Sequence, residues 1–130
     1  MLFTKLNHFE VPEEEIKLRP TFILCNSNAM LYQQMVHVSH SFYLNFFLNR
    51  GINVIAWNYR GYGRSSGTST PDSLKQDVDT VCDYAVKKLG LVGKLGVYGR
   101  SLGGIPSSHL ANKVQMAIID RSFGNFKDMA

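Results

Sequence analysis

Four short apolar runs, TFILCN (21–26), INVIAWN (52–58), KLGVYG (94–99) and VQMAIID (114–120), recur along the chain. Each is nearly continuous rather than alternating, the pattern of a strand covered on both faces. Segments with helical spacing lie between them. The clearest opens at Thr70-Pro71-Asp72, with proline at the first helical position and an acidic residue at the positive end of the helix dipole. It carries Leu74, Val78, Val81, Ala85 and Leu89 three or four apart and stops at Gly90. Residues 41–50 give a shorter, more apolar helix ahead of Gly51. A third helix after Ser101 has a weaker basis, because Gly103, Gly104 and Pro106 disfavour it and only Leu102, Ile105, Leu110 and Ala111 give it a face. Strands alternating with helices imply right-handed crossovers between parallel strands. The expected fold is therefore α/β, an open, mostly parallel sheet with helices on both faces. Ligands in such sheets bind beyond the carboxyl ends of the strands, so the loops after Asn26, Asn58, Gly99 and Asp120 form the candidate functional edge.

The 130 residues suffice for one domain with a real core, and 45% hydrophobic with 18% charged residues excludes a disordered or collagen-like chain. The net charge of +4 comes from lysines and arginines scattered singly, which argues against a nucleic-acid partner. Cys25 and Cys82 lack a CxxC partner or a histidine cluster, so neither a metal site nor a disulfide framework is expected, and a reduced, cytoplasmic setting is the plainest reading. The N-terminus is broken by Lys5, Asn7 and His8 before an export signal could form. The most apolar stretch, SFYLNFFLNRG, falls far short of the ~20 residues of a membrane helix, so no transmembrane segment is expected. Residues 1–20 read as an N-terminal extension or early edge strand, and residues 21–130 as the domain.

Tyr-Gly-Arg-Ser occurs twice, as YGRSSG (62–67) and YGRSLGG (98–104), and both copies satisfy G-x-S-x-G. That pattern marks a nucleophilic serine only where a strand turns sharply into a helix, with glycines relieving the crowded backbone. Ser101 has this setting, between the strand KLGVYG and the helical SLGGI, with the N–H of Leu102 placed to receive an oxyanion. Ser65 does not, since GTSTP separates it from the next helix. Ser101 is the expected nucleophile, with Gly99 and Gly103 as the elbow glycines. Trp57, Tyr59 and Tyr62 could line a site, although aromatic residues beside a strand more often belong to the core.

From Thr21 onward the chain resembles the central part of an α/β-hydrolase, in the branch of serine aminopeptidase and lipase-like α/β-hydrolase-domain proteins. Asn26-Ser27-Asn28-Ala29 is similar to the family's His-Gly-Asn-Ala turn, residues 58–67 to its D-Y-R-G-x-G-x-S-x-G loop, residues 99–104 to its elbow, and residues 118–123 to its segment after the following strand. The resemblance implies a serine hydrolase without cofactor or metal, acting on a small-molecule, lipid or peptide ester or amide. It also implies an oxyanion hole made by the N–H groups of Leu102 and Asn28. Asn26-Ser27 replaces the usual His-Gly and Asn58 the usual Asp, which alters the oxyanion turn.

Serine catalysis needs a base near the hydroxyl and an acid that orients it, in this fold in the chain order Ser, acid, His. Only 29 residues follow Ser101. His109 lies eight residues on, about 12 Å of helical rise away. His37 and His40 read as polar residues of a loop or helix entry, and His8 as part of a frayed terminus. Asp120 ends a strand at the functional edge and is a candidate acid, with a capping or structural role as its alternative. The family fold runs to about 250 residues, so the chain reads as truncated before the last two strands, leaving the strand at Val114 as an exposed edge.

Two functions follow as expectations. One is a serine hydrolase working through an acyl-enzyme on Ser101, whose complete form continues past Ala130 with an acid and a histidine. The other is a non-catalytic half-hydrolase that associates through its sheet edge. A cytoplasmic location is expected, with attachment to a membrane surface as the alternative for a full-length protein. A nucleotide-binding reading fails, because neither GxGxxG nor GxxxxGK follows the first strand.

Overall fold

The computed structural model describes residues 2–4, 12–26, 42–62 and 65–121. Their elements run β1 (Leu2–Thr4), α1 (Glu13–Leu18), β2 (Thr21–Cys25), α2 (Phe42–Leu48), β3 (Asn53–Ala56), α3 (Pro71–Lys87), β4 (Leu95–Arg100), a 3₁₀ turn (Ser101–Gly103), α4 (Gly104–Leu110), a second 3₁₀ turn (Ala111–Lys113) and β5 (Met116–Asp120). All four expected strands and all three expected helices form, within a few residues of the bounds read from the sequence.

The five strands make one sheet in the order β1-β3-β2-β4-β5. β2 pairs in parallel with β3 (Thr21 opposite Asn53) and with β4 (Thr21 opposite Leu95), and β4 in parallel with β5 (Gly96 opposite Met116). β1 is the antiparallel edge strand, with Leu2 opposite Ala56 of β3. The chain thus steps from β2 outward to β3, then crosses back over β2 to β4 and continues outward to β5. Right-handed crossovers in opposite directions place their helices on opposite faces.

The two cores show this division. Phe22 and Leu24 of β2 pack with Val54, Ala56 and the α2 residues Leu44 and Phe47 on one face. Ile23, Cys25, Ile55 and Val97 pack with Leu74, Val78, Val81 and Ala85 of α3 and Leu110 of α4 on the other. The alternation of side chains along β2 divides its five buried residues between these layers. The fold is the open α/β sheet covered on both faces that the apolar runs imply.

Local chemistry explains the helix ends. Thr70 accepts from the N–H of Ser73 at 3.0 Å while the Ser73 hydroxyl accepts from the N–H of Thr70 at 2.7 Å, a reciprocal cap worth about 1 kcal/mol. α1 was not legible in the sequence, because six residues are too few to display a helical period. Three glutamates fill its first turn, where the helix dipole favours them, and Ile16 is buried. The buried Asn53 ties α1 to the sheet, its Nδ2 donating to the carbonyl of Ile16 at 2.8 Å and to Thr21 Oγ1 at 3.2 Å.

β5 departs from the covered-strand pattern. Its apolar residues form a strand as expected, yet Met116 is 57% and Ile119 45% exposed, on opposite faces. Continuous apolarity predicted the strand but not what lies against it.

Candidate active site

The carboxyl end of β4 leads directly into a helical turn. Arg100 is still extended (φ −115°, ψ 133°), and the next residue, Ser101, takes a left-handed φ of +55° as the first residue of the 3₁₀ turn. A left-handed conformation costs a non-glycine residue about 1–3 kcal/mol and persists only where its surroundings enforce it. The surroundings here are backbone packed against backbone. A Cβ on Gly99 would lie 2.1 Å from Ser107 Oγ and 2.2 Å from the carbonyl oxygen of Gly103, and one on Gly103 would lie 2.1 Å from the carbonyl oxygen of Cys25. Gly99 and Gly103 therefore let β4, α4 and the end of β2 close on one another, and Ser101 is the residue at the tip.

The same sheet edge collects the other candidates. β2 and β4 are neighbours although β3 intervenes in the chain, so their carboxyl ends lie side by side at the point where the direction of winding reverses. Asn26 directly follows β2 and is buried. Asn28 lies outside the described residues, as do His8, His37, His40, Gly63 and Arg64. Leu102 follows Ser101 in the first turn of the helical segment. Asp120 closes β5 opposite Arg100, level with the approach to Ser101. Its Oδ2 accepts from the Tyr98 hydroxyl at 2.8 Å, and its Oδ1 lies 3.6 Å from Nε of Arg121.

His109 is directed elsewhere. Its Nε2 is 2.9 Å from Oδ2 of Asp79 on α3, and Lys113 Nζ reaches Oδ1 of the same carboxylate at 2.9 Å. Partial burial opposes ionisation of Asp79, but the hydrogen bonds and charges of His109 and Lys113 outweigh it and hold the carboxyl below its usual range. His109 braces α4 against α3, in agreement with the helical-rise argument.

The first YGRS copy has a different setting. Ser65 is exposed on a loop, its N–H donating to the carbonyl of Tyr62 at 2.9 Å, beside a polar cleft lined by Asn58, Arg60, Ser65, Ser66 and Asp77. Arg60 anchors that loop to α3, with Nη2 2.7 Å from Asp77 Oδ1 and its backbone N–H donating to Oδ2 at 3.2 Å. Trp57 and Tyr59 belong to the core, Tyr59 lying edge-on to Trp57 with ring centres 4.9 Å apart. Sequence reasoning did not find the Arg60–Asp77 pair, since no local pattern links positions 17 apart.

Beneath the elbow lies the Cys25 thiol, with Ser107 and Trp57 as its polar neighbours. Burial pushes its pKa from 9.0 up to about 12 against their opposing effect. It is a protonated core residue and not a reactive thiol.

The model of the X-Pro dipeptidyl-peptidase (S15) family matches residues 7–119, most of the chain. The chain belongs to this family of α/β-hydrolases. Protein bem46 of Schizosaccharomyces pombe is 28% identical over 128 residues, 95% of this chain and 42% of that protein. A Saccharomyces cerevisiae protein, YNL320W, described as an uncharacterized membrane protein, is 33% identical over 84% of this chain and 37% of its own length. The structure of an α/β serine hydrolase homologue from Coxiella burnetii superposes with a TM-score of 0.68 at 18% identity, covering 91% of this chain and 54% of that one. The chain spans about two fifths of these curated relatives and about half of the solved hydrolase. Its parallel strands and their helices are thus an α/β-hydrolase sheet. Among the described residues no helix is long and apolar enough to cross a membrane.

Proposed function

We propose that this hydrolase cleaves esters or amides with Ser101 as its nucleophile. The left-handed φ of +55° at Ser101, on a turn between strand and helix, carries the reading. The Ser101 hydroxyl attacks the substrate carbonyl carbon and passes its proton to a base. The carbonyl oxygen becomes an oxyanion that accepts from the N–H groups of Leu102 and Asn28, and the leaving alcohol or amine departs with the proton. Water then resolves the acyl-enzyme by the same steps. Neither cofactor nor metal has a part in this chemistry.

The base is a histidine that follows Ser101 in the chain order of the fold, oriented by a carboxylate. His109 is unsuited to it, being engaged with Asp79. Asp120 stands at the right edge for the carboxylate, with one oxygen already accepting from Tyr98. A small-molecule, lipid or peptide ester or amide in the cytoplasm, or at a membrane surface, is the substrate class.

A fluorophosphonate probe, read by intact mass, tests the assignment on the chain beside Ser101→Ala and Ser65→Ala. Labelling lost in Ser101→Ala and retained in Ser65→Ala is the expected result. Absence of labelling in the parent chain would overturn an autonomous hydrolase.

A second reading, a non-catalytic module that associates through its sheet edge, is favoured by the exposed Met116, Ile118 and Ile119 of β5. Sedimentation over a range of concentrations separates the two, since a strict monomer removes it.

A further inference from the structure

The parallel strands begin level with one another. The N–H of Thr21 donates to the carbonyl of Lys94 at 2.9 Å, that of Asn53 to Pro20 at 2.9 Å and that of Gln115 to Leu95 at 2.9 Å, so the segments entering β2 to β5 lie side by side along the amino edge of the sheet. Each brings a cation within three residues of its strand, namely Arg19, Arg50, Lys94 and Lys113. Lys17 joins them, since its carbonyl accepts from the N–H groups of Val92 and Gly93 at 3.0 Å and its Nζ lies 3.6 Å from where a Cβ on Gly90 would sit. Lys88, just ahead of that glycine, is exposed. Cations scattered along the sequence are gathered by the fold on one edge.

Arg19 is compensated by Glu15 at 3.0 Å and Lys113 by Asp79 at 2.9 Å. Among the described residues Lys17, Arg50, Lys88 and Lys94 have no carboxylate partner. Apolar side chains stand between them. Leu18 is 68%, Val92 71% and Met116 57% exposed, more than any other large hydrophobic side chain described. A hollow of about 340 Å³ opens beside Lys94, lined by Pro20, Phe22, Ile52 and Met116. A nucleic acid would match the charge but gains nothing from aliphatic side chains held in water. Cations ringing exposed aliphatic tips match a bilayer interface, where the tips enter the headgroup layer and the charged ends stay with the lipid anions.

We infer that the amino edge of the sheet docks the chain on an anionic phospholipid bilayer, with Leu18 and Val92 entering the headgroup layer and Lys17, Arg50, Lys88 and Lys94 meeting the lipid anions. The inference selects the membrane surface from the locations proposed above and does not depend on the chemistry of Ser101. Ser101 follows β4 at the opposite, carboxyl edge, so a docked chain holds the elbow away from the lipid.

The test is flotation of the purified chain with vesicles of phosphatidylcholine alone and of phosphatidylcholine with about one third phosphatidylserine. The parent is expected to float with the anionic vesicles only and to be released by about 0.5 M salt. Leu18→Ser with Val92→Ser, and separately Lys88→Glu with Lys94→Glu, alter exposed positions and are checked for an unchanged circular dichroism spectrum. Each pair should partition about 10-fold less. Lys75→Glu with Arg121→Glu makes the same change of net charge away from this edge and should bind as the parent does. A parent that does not float, or an equal loss in that control pair, would overturn the inference. Binding that survives Leu18→Ser with Val92→Ser would reduce the edge to a general polyanion contact and overturn the bilayer as its partner. No readout involves Ser101, so a chain that takes no fluorophosphonate label loses the proposed nucleophile and leaves this inference standing.

Discussion

Gly103 lies so close to Cys25 that a Cβ built on the glycine falls 2.1 Å from the carbonyl oxygen of the cysteine. That oxygen belongs to the backbone of a central strand and cannot rotate away. Gly103→Ala must therefore push α4 off β2, at a cost of about 3 kcal/mol or more. Gly99→Ala meets Ser107 Oγ and the Gly103 carbonyl and is expected to cost a similar amount. Urea unfolding of both variants measures this, and a loss below about 1 kcal/mol in either would contradict such close approach.

The pair Arg60–Asp77 joins the loop after β3 to α3, with Arg60 side-chain exposure of 40% and Asp77 of 19%. Water screens part of the attraction, but the backbone N–H of Arg60 shares the carboxylate. Asp77→Ala is expected to lower stability by about 1 kcal/mol, more than an exposed ion pair on one helix would. Faster hydrogen exchange in residues 60–69, with the strands unaffected, would locate the effect in the loop.

The Cys25 thiol makes the fold sensitive to alkali. Its folded pKa of about 12 stands above the ordinary 9.0, so between these values the unfolded chain loses a proton that the folded chain keeps. Stability then falls with rising pH, by about 1.4 kcal/mol per unit for this group. Tyr59, raised by its burial, adds a second such contribution above pH 10. Denaturation midpoints of the parent chain and Cys25→Ala across pH 8–11 should diverge in slope by one proton above pH 9. Parallel curves would sink the assignment.

Asp79 gives the opposite dependence. Its carboxyl is held below the ordinary 3.8, so its stabilising effect is complete above that value and is lost as pH falls through the folded pKa. Asp79→Asn should lower stability at neutral pH, where the charged carboxylate contributes fully, and flatten the acid limb below about pH 4, where parent and variant converge. An unchanged acid limb would show that His109 and Lys113 do not hold this carboxylate in solution.

The sequence carried the elements and the site unevenly. Strands β2 to β5 and helix α3 were legible because continuous apolarity and spacings of three and four are local signals, and the strand-to-helix setting of Ser101, unlike the loop setting of Ser65, was legible from what flanks each copy of YGRS. The contacts that build the site were not legible. Tyr59 meeting Asn26 and Arg60 meeting Asp77 join positions 33 and 17 apart, across elements whose juxtaposition depends on strand order. The apolar pattern did not show the exposed faces of β5, since it reports a strand's preference and not its neighbours, whereas the exposed edge was expected from the length of the family fold.

Strand order also sets a timetable. β2 lies between β3 and β4, and its pairing with β4 joins Thr21 to Leu95, 74 positions along the chain. Closing so long a loop is entropically costlier than closing the β2–β3 loop, and high contact order slows folding. On a ribosome Asn26 emerges long before Gly103, so Asn26 waits through the synthesis of β3, α3 and β4 for the neighbour that completes its setting.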